Sequence, residues 1–267
     1  MKKALFYLII FLALQMVVPT LVAVAWKAIY GCRPDSADGV WLTISTLIYT
    51  LIGITLFFSL HWTPFHGRYI RLRPWSVVLW SLVAGFGLLI PSQWISEHAP
   101  ALDDIIEEAL RNLMDTRGSY LAIAILAPLA EEVVFRGAIL RALLASMGRK
   151  HWLAIALSAA LFAAVHLNPA QMPHAFAVGL LLGWMYYRTR SIIPSTVLHI
   201  ANNTGAYLSY HLYPNAETLP QIFGSEQAAL KAAFFSLLIF IPAVWQLHRL
   251  MKKPAEDAPT TNALHQA

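Results

Sequence analysis

The chain alternates long apolar runs with short polar intervals. Runs near 4–26, 40–62, 75–95, 119–146, 151–168, 171–187, 191–210 and 229–247 approach or exceed the length needed to cross about 30 Å of hydrocarbon at 1.5 Å per residue. The pattern predicts an all-α polytopic membrane protein of about eight transmembrane helices. It forms one transmembrane domain over 1–253, followed by a tail over 254–267 whose Ala, Asp, Pro and Thr content reads as disordered. The first run begins after Lys2-Lys3 and ends in Ala23-Val24-Ala25, features shared with a signal peptide. Its length, with Gln15 and Pro19 inside it, fits better a retained helix packed against protein, where a freed backbone carbonyl finds a partner.

The polar interval 96–118 has its own pattern. Asp103, Asp104, Glu107, Glu108 and Asp115 interleave with Leu102, Ile105, Ile106, Leu110 and Leu113 at helical spacing. This predicts an amphipathic helix lying at the membrane surface, either a lid or substrate guide or a solvated connector.

Composition agrees with the pattern. Hydrophobic residues make up 58% of the chain and charged residues 12%, with a mean hydropathy of +0.58. A soluble domain carries about 25% charged residues. The net charge of +5 does not indicate a nucleic-acid partner, because the basic residues are spread between the apolar runs. With the N-terminus inside, 13 of the 19 Lys and Arg residues, including Arg68, Arg71, Arg73, Lys252 and Lys253, fall on the cytoplasmic side. Five fall on the opposite side, and Arg136 lies within a run. This asymmetry predicts both termini in the cytoplasm and a cytoplasmic-type membrane, with the lipid bilayer as the solvent partner. Cys32 stands alone and cannot form an internal disulfide.

Candidate chemistry sits within the runs. The fourth contains EEVVFRG, placing Glu131, Glu132 and Arg136 where an ionisable group costs about 2.5–3.5 kcal/mol or more to insert. Glu132 and Arg136 stand at i,i+4 and can pair along one helical face. Glu131 is turned about 100° away and is free to face a different cavity. The fifth run ends LFAAVHL, with Phe162 and His166 at i,i+4; the seventh reads SIIPSTVLHIANN, with His199 and Asn203 at the same spacing. Each histidine alone fits a packing role. With Glu131 they form a set of polar groups that need one another in an apolar medium. Counted along the runs, Glu131 and His199 fall near mid-membrane and His166 nearer the outer side. His174 and the remaining histidines fall at ends, loops or tails and read as interface or solvent residues. Small residues including Ala163, Ala164, Gly179, Gly183 and Ala201 permit close helix packing around a cavity.

The ordered set EEVVFR, FAAVH and HIANN resembles the CAAX protease and bacteriocin-processing family of membrane endopeptidases, which includes the type II CAAX prenyl proteases. The resemblance spans about 119–210 and leaves no required motif residue substituted. It implies that Glu131 and His166 bind and activate the hydrolytic water, and that His199 and Asn203 stabilise the oxyanion. Glu132 and Arg136, with Phe162 beside them, would support the site. Physical chemistry is consistent with this: a carboxylate in a low-dielectric site is a stronger base, and donors aimed at developing negative charge are a large catalytic term. The implied substrate is a membrane-associated peptide or protein; neither prenylation nor an oligomeric state is implied.

Other readings remain open at this level. Two histidines and a glutamate can ligate zinc and leave a position for water, though HExxH is missing; no cofactor is expected, with Zn²⁺ the possible exception. Intramembrane Glu, Arg and His also suit a transporter or proton pathway. A non-enzymatic binding or immunity protein could use the same polar groups to hold a peptide.

Overall fold

The computed structural model describes residues 1–64, 75–100 and 102–251. The predicted tail over 254–267 and the basic residues Arg68, Arg71, Arg73, Lys252 and Lys253 lie outside the described residues. Among the described residues the fold is all-helical, with no strand.

Helix α1 spans Lys2–Tyr30, α2 Gly39–Ser59 and α3 Ser76–His98; each is apolar along most of its length. A left-handed Gly31 ends α1, and the Asp38 side chain caps α2 by accepting from the backbone N–H groups of Val40 and Trp41, both at 2.9 Å. A short α4 covers Glu107–Asp115. A continuous rod over 120–147, here α5, is α-helical at Ala127–Glu131 and Arg141–Met147 and takes wider π-type turns at Tyr120–Leu126 and Glu132–Leu140. Pro128, which cannot donate a backbone hydrogen bond, lies where the first wide segment passes into α-helix. Then follow α6 at His151–Ala164, α7 at Met172–Thr189, α8 at Ile193–Leu212, α9 at Leu219–Phe223 and α10 at Glu226–Leu250.

Among the described residues, four helices (α1, α2, α3 and α10) are long and apolar enough to cross a membrane by length and composition. All eight predicted runs fall on helices, but α6 ends at Ala164, so His166 lies in the turn beyond it. The interval 96–118 departs further from expectation. Helix α4 starts only at Glu107, and Leu102, Asp103, Asp104 and Ile105 lie outside it. Pro100 ends α3, because the residue before a proline is pushed out of the α region and Ala99 is extended at ψ 160°; beyond it the backbone at Asp103 and Ile105 is bonded to Ala170 and Asn168 and not within a helix.

Two apolar clusters build the core. One joins α1, α2, α5 and α6, with Phe11, Phe57, Phe135, Ile139 and Ile155 fully buried. The other joins α3, α7, α8 and α10 through Ala84, Leu182, Met185, Leu198 and Leu247. Helix α7 belongs to both, giving Ala175 and Tyr186 to the first and Val178, Leu182 and Met185 to the second. Close approach of α3 to α8 depends on Gly85, where a Cβ would lie 2.6 Å from both Ala201 Cβ and the Leu198 carbonyl oxygen. That contact seats the part of α8 that bears His199 and Asn203.

Candidate active site

Helix α5 delivers two adjacent carboxylates with opposite surroundings. Glu132 is fully buried, with Oε1 2.8 Å from Arg136 Nη1, the i,i+4 pair expected from the spacing. Arg136 is equally buried; its Nη2 donates to the Gly179 carbonyl at 3.2 Å and its guanidinium lies 4.6 Å from the centre of the Phe162 ring. The arginine thereby ties α5 to α7 and α6. Glu131 keeps 16% of its side-chain surface exposed where Glu132 keeps 0%, so Glu131 is the carboxylate of the pair that can meet water.

His199, on α8, lies between the two. Its Nδ1 is 3.2 Å from Glu132 Oε1 and its Nε2 is 3.6 Å from Glu131 Oε2. Glu131, turned away from Glu132 around the helix, is nevertheless joined to it through this ring. The carboxylates diverge around α5, but an imidazole has its nitrogens on different edges and meets one at each. Because Glu132 can only accept, the Nδ1 position carries the proton when that bond forms.

Phe162 provides the floor. Its ring makes an edge contact with His199 at 5.7 Å between centroids and with His166 at 5.0 Å, and packs on Phe135 at 5.2 Å. Both imidazoles therefore lie against one phenyl ring. His166 Nδ1 is 2.8 Å from the Phe162 carbonyl, an acceptor only, so the ring donates there and presents Nε2 as the basic nitrogen.

Asn203 is half-buried and donates from Nδ2 to the Ile123 carbonyl at 3.1 Å. A primary amide has two N–H bonds, so one remains for another acceptor. Carbonyls in the wide-turn segments of α5 repeatedly take a side-chain donor of this kind: Val133 accepts from Thr63 at 2.7 Å and Phe135 from Ser158 at 3.2 Å.

Several neighbours were not anticipated. His174, read as a solvent or interface residue, is half-buried near the start of α7 and lies within electrostatic reach of His199 and His166. Tyr49 of α2 lies within electrostatic reach of Glu131 and beside Gln15 and Thr46. Asn202 is buried, with Oδ1 lacking a hydrogen-bond partner among the described residues. Asn168 is fully buried two residues after His166. An Asn-Pro pair so close to a candidate histidine was a readable turn signal. A cavity of about 420 Å³ on the acidic interval is lined by Asp104, Ile105, Glu107, Glu108 and Arg111, none of them a site residue. Among the described residues, no three His, Cys, Asp or Glu side chains form a group that could hold a metal ion.

The apolar helices and this buried carboxylate, imidazole and guanidinium cluster define a helical membrane protein with an ionisable centre. Residues 115–205 match the family described as Type II CAAX prenyl endopeptidase Rce1-like. The matched stretch, about a third of the chain, contains Glu131, Glu132, Arg136, Phe162, His166, His199 and Asn203. It supports the CAAX protease and bacteriocin-processing family already indicated by the motifs, and with it a protease of the CAAX-type membrane kind. Comparison with curated proteins and with solved structures found no match.

Proposed function

We propose that this protein is an intramembrane endopeptidase of the glutamate type, hydrolysing a peptide bond in a membrane-associated peptide or protein. The observation that carries the reading is the division of labour between adjacent glutamates: Glu132 is buried against Arg136, while Glu131 is partly exposed with its carboxylate 3.6 Å from His199. A carboxylate held by a buried guanidinium is poorly suited to exchange protons; one open to water is well suited to it.

In the proposed reaction, water sits between Glu131 and the basic Nε2 of His166. Glu131 takes a proton as the water oxygen attacks the peptide carbonyl carbon, and the carbonyl π electrons move onto oxygen. His199 and the free N–H of Asn203 donate to that oxyanion, stabilising charge that exists only at the tetrahedral stage. Donation from His199 Nε2 while Nδ1 donates to Glu132 requires the doubly protonated ring. Collapse of the intermediate breaks the C–N bond as Glu131 returns its proton to the leaving amine. No metal takes part in this scheme. Both termini are proposed to face the cytoplasm, on the strength of the basic asymmetry between loops.

The test is cleavage of membrane-anchored peptides by the purified chain in liposomes, comparing wild type with Glu131→Ala and His166→Ala, each with and without a zinc chelator. Loss of cleavage in both variants, with wild-type cleavage indifferent to chelator, is the expected result. Cleavage abolished by chelator and restored by Zn²⁺ would replace the scheme with a metallopeptidase. Equal cleavage by wild type and variants would overturn the residue assignment.

A further inference from the structure

The turn that carries His166 is held by contacts the reaction scheme does not use. His166 follows the end of α6, and Leu167 after it adopts φ +51°, a left-handed conformation uncommon for a residue with a branched side chain. Such a conformation persists where the surroundings determine it. Asn168 supplies those surroundings. Its Oδ1 accepts from the Ile105 backbone N–H at 3.2 Å, and its Nδ2 donates to Asp104 Oδ1 at 3.0 Å. Its own carbonyl accepts from the N–H groups of Gln171 and Met172 at 3.0 and 3.2 Å, which starts the turn into α7. A backbone bond from Ala170 N–H to the Asp103 carbonyl, at 3.3 Å, runs alongside. The segment 103–105 is thus fastened to the turn 168–170 at three points. It is the non-helical part of the acidic interval, the part displaced from the expected amphipathic helix.

We propose that Asn168 is a positioning residue: with Asp104 it clamps the acidic segment to the turn bearing His166 and so sets the imidazole against Phe162 and the attacking water. The proposal rests on the protease reading above. Asn168 touches no reacting atom. It acts through the backbone two residues away, where a displacement of about 1 Å is enough to cost about 10²-fold in rate. The Asn168 side chain uses both its ends, an acceptor for Ile105 and a donor for Asp104, so an aspartate at this position keeps the first bond and turns the second into a repulsion. Exchanging the pair as Asn168→Asp with Asp104→Asn restores a donor opposite an acceptor and leaves an oxygen for Ile105; the Ile106 N–H, which Asp104 Oδ1 also accepts at 3.3 Å, passes to the oxygen of the new amide.

The experiment measures kcat and KM of the full chain in liposomes on a membrane-anchored peptide that the wild type cleaves. It also follows the His166 imidazole by NMR of histidine-labelled protein, assigned with His166→Gln. Asn168→Ala and Asn168→Asp are expected to lower kcat at least about ten-fold, with KM changed less than about two-fold. Both are expected to shift the His166 resonance. The exchanged double variant is expected to recover kcat to within about three-fold of wild type and to return the resonance. A double variant no better than Asn168→Asp overturns the clamp, as does wild-type kcat in Asn168→Ala. Should Asn168→Ala fail to fold, the comparison of Asn168→Asp with the double variant decides. Wild-type protein that cleaves nothing sinks the protease reading instead, and the His166 resonance alone then decides the clamp: shifted in Asn168→Asp and restored in the double variant upholds it, unchanged overturns it.

Discussion

His199 Nε2 lies 3.6 Å from Glu131 Oε2, and the far nitrogen of the same ring lies 3.2 Å from Glu132. Through that imidazole, the partly exposed carboxylate is coupled to the buried one and, beyond it, to Arg136. The arrangement fixes the ring from behind and leaves its other edge directed at the glutamate that can meet water. Phe162 packs edge-on to the ring, so the histidine is held by polar contacts at both nitrogens and by an apolar contact on its side.

Separating chemistry from stability is the first consequence. Glu131→Gln retains shape and most of the hydrogen-bonding capacity but removes the base. It is expected to lower kcat by at least about 10²-fold. The melting temperature in detergent should stay near that of wild type, because Glu131 is not the partner of the buried arginine. Peptide cleavage and a thermal melt on the same preparation check this; a variant as active as wild type removes Glu131 from the mechanism.

Glu132 and Arg136 should behave in the opposite way. Both side chains are essentially inaccessible and 2.8 Å apart. Removing one leaves a buried charge without its counter-charge, at a cost of about 3–5 kcal/mol. Arg136→Ala also empties the space over Phe162. The joint variant Glu132→Gln with Arg136→Met removes both charges and keeps volume, and is expected to recover most of the stability lost by either single change. Denaturation of the four proteins forms a double-mutant cycle, and additive losses would show that the pair is not coupled.

The local part of this site was legible in the chain because it depends on helical spacing alone. Glu132 and Arg136 are four residues apart on α5, and Phe162 near the end of α6 is four residues from His166 in the turn beyond it; both pairs meet in the fold. The bridging of Glu131 and Glu132 by His199 was not legible, since it depends on the rotation of α5 against α8, and no sequence interval encodes that rotation. The place of His166 was misread for a different reason. An apolar count carries the fifth run to 168, whereas the Asn168-Pro169 turn ends the helix earlier. The wide turns of α5 left no trace in the hydrophobic pattern, because apolar residues stand on nearly every side of it and give no alternation by which to track its period. His174 reads as a loop-end residue in the chain, yet α7 starts two residues before it and brings it within electrostatic reach of the other histidines.

Asn203 offers a test of whether its amide is a donor in the reaction or only a strut. One N–H is engaged by the Ile123 carbonyl at 3.1 Å, leaving one for an oxyanion. Asn203→Ala loses both, and a lost oxyanion donor costs about 10²–10³ in kcat. Asn203→Asp places an acceptor opposite a carbonyl and next to any developing negative charge, so it is expected to be the worse of the two. Steady-state kinetics on both variants distinguishes the roles: equal kcat in Asn203→Ala and wild type, with a lowered melting temperature, would leave Asn203 as a strut.

Gly85 links packing to the site without touching it. A Cβ at this position would come within 2.6 Å of Ala201 Cβ and of the Leu198 carbonyl oxygen, and neither atom can swing aside as the tip of a flexible side chain could. Alanine therefore has to push α3 from α8. Overpacking of this kind costs about 1–3 kcal/mol. The better helix propensity of alanine returns about 0.5–1 kcal/mol, so the net effect is destabilising. Leu198 and Ala201 flank His199 on α8, and a shift of that helix moves the imidazole relative to Glu131 and Glu132, which belong to α5. Gly85→Ala is accordingly expected to lower the melting temperature and to reduce kcat more than it raises KM, although no catalytic group has been altered. A variant that melts early but retains full kcat would show that α8 yields elsewhere along its length and that the seat of His199 is set by α5 alone.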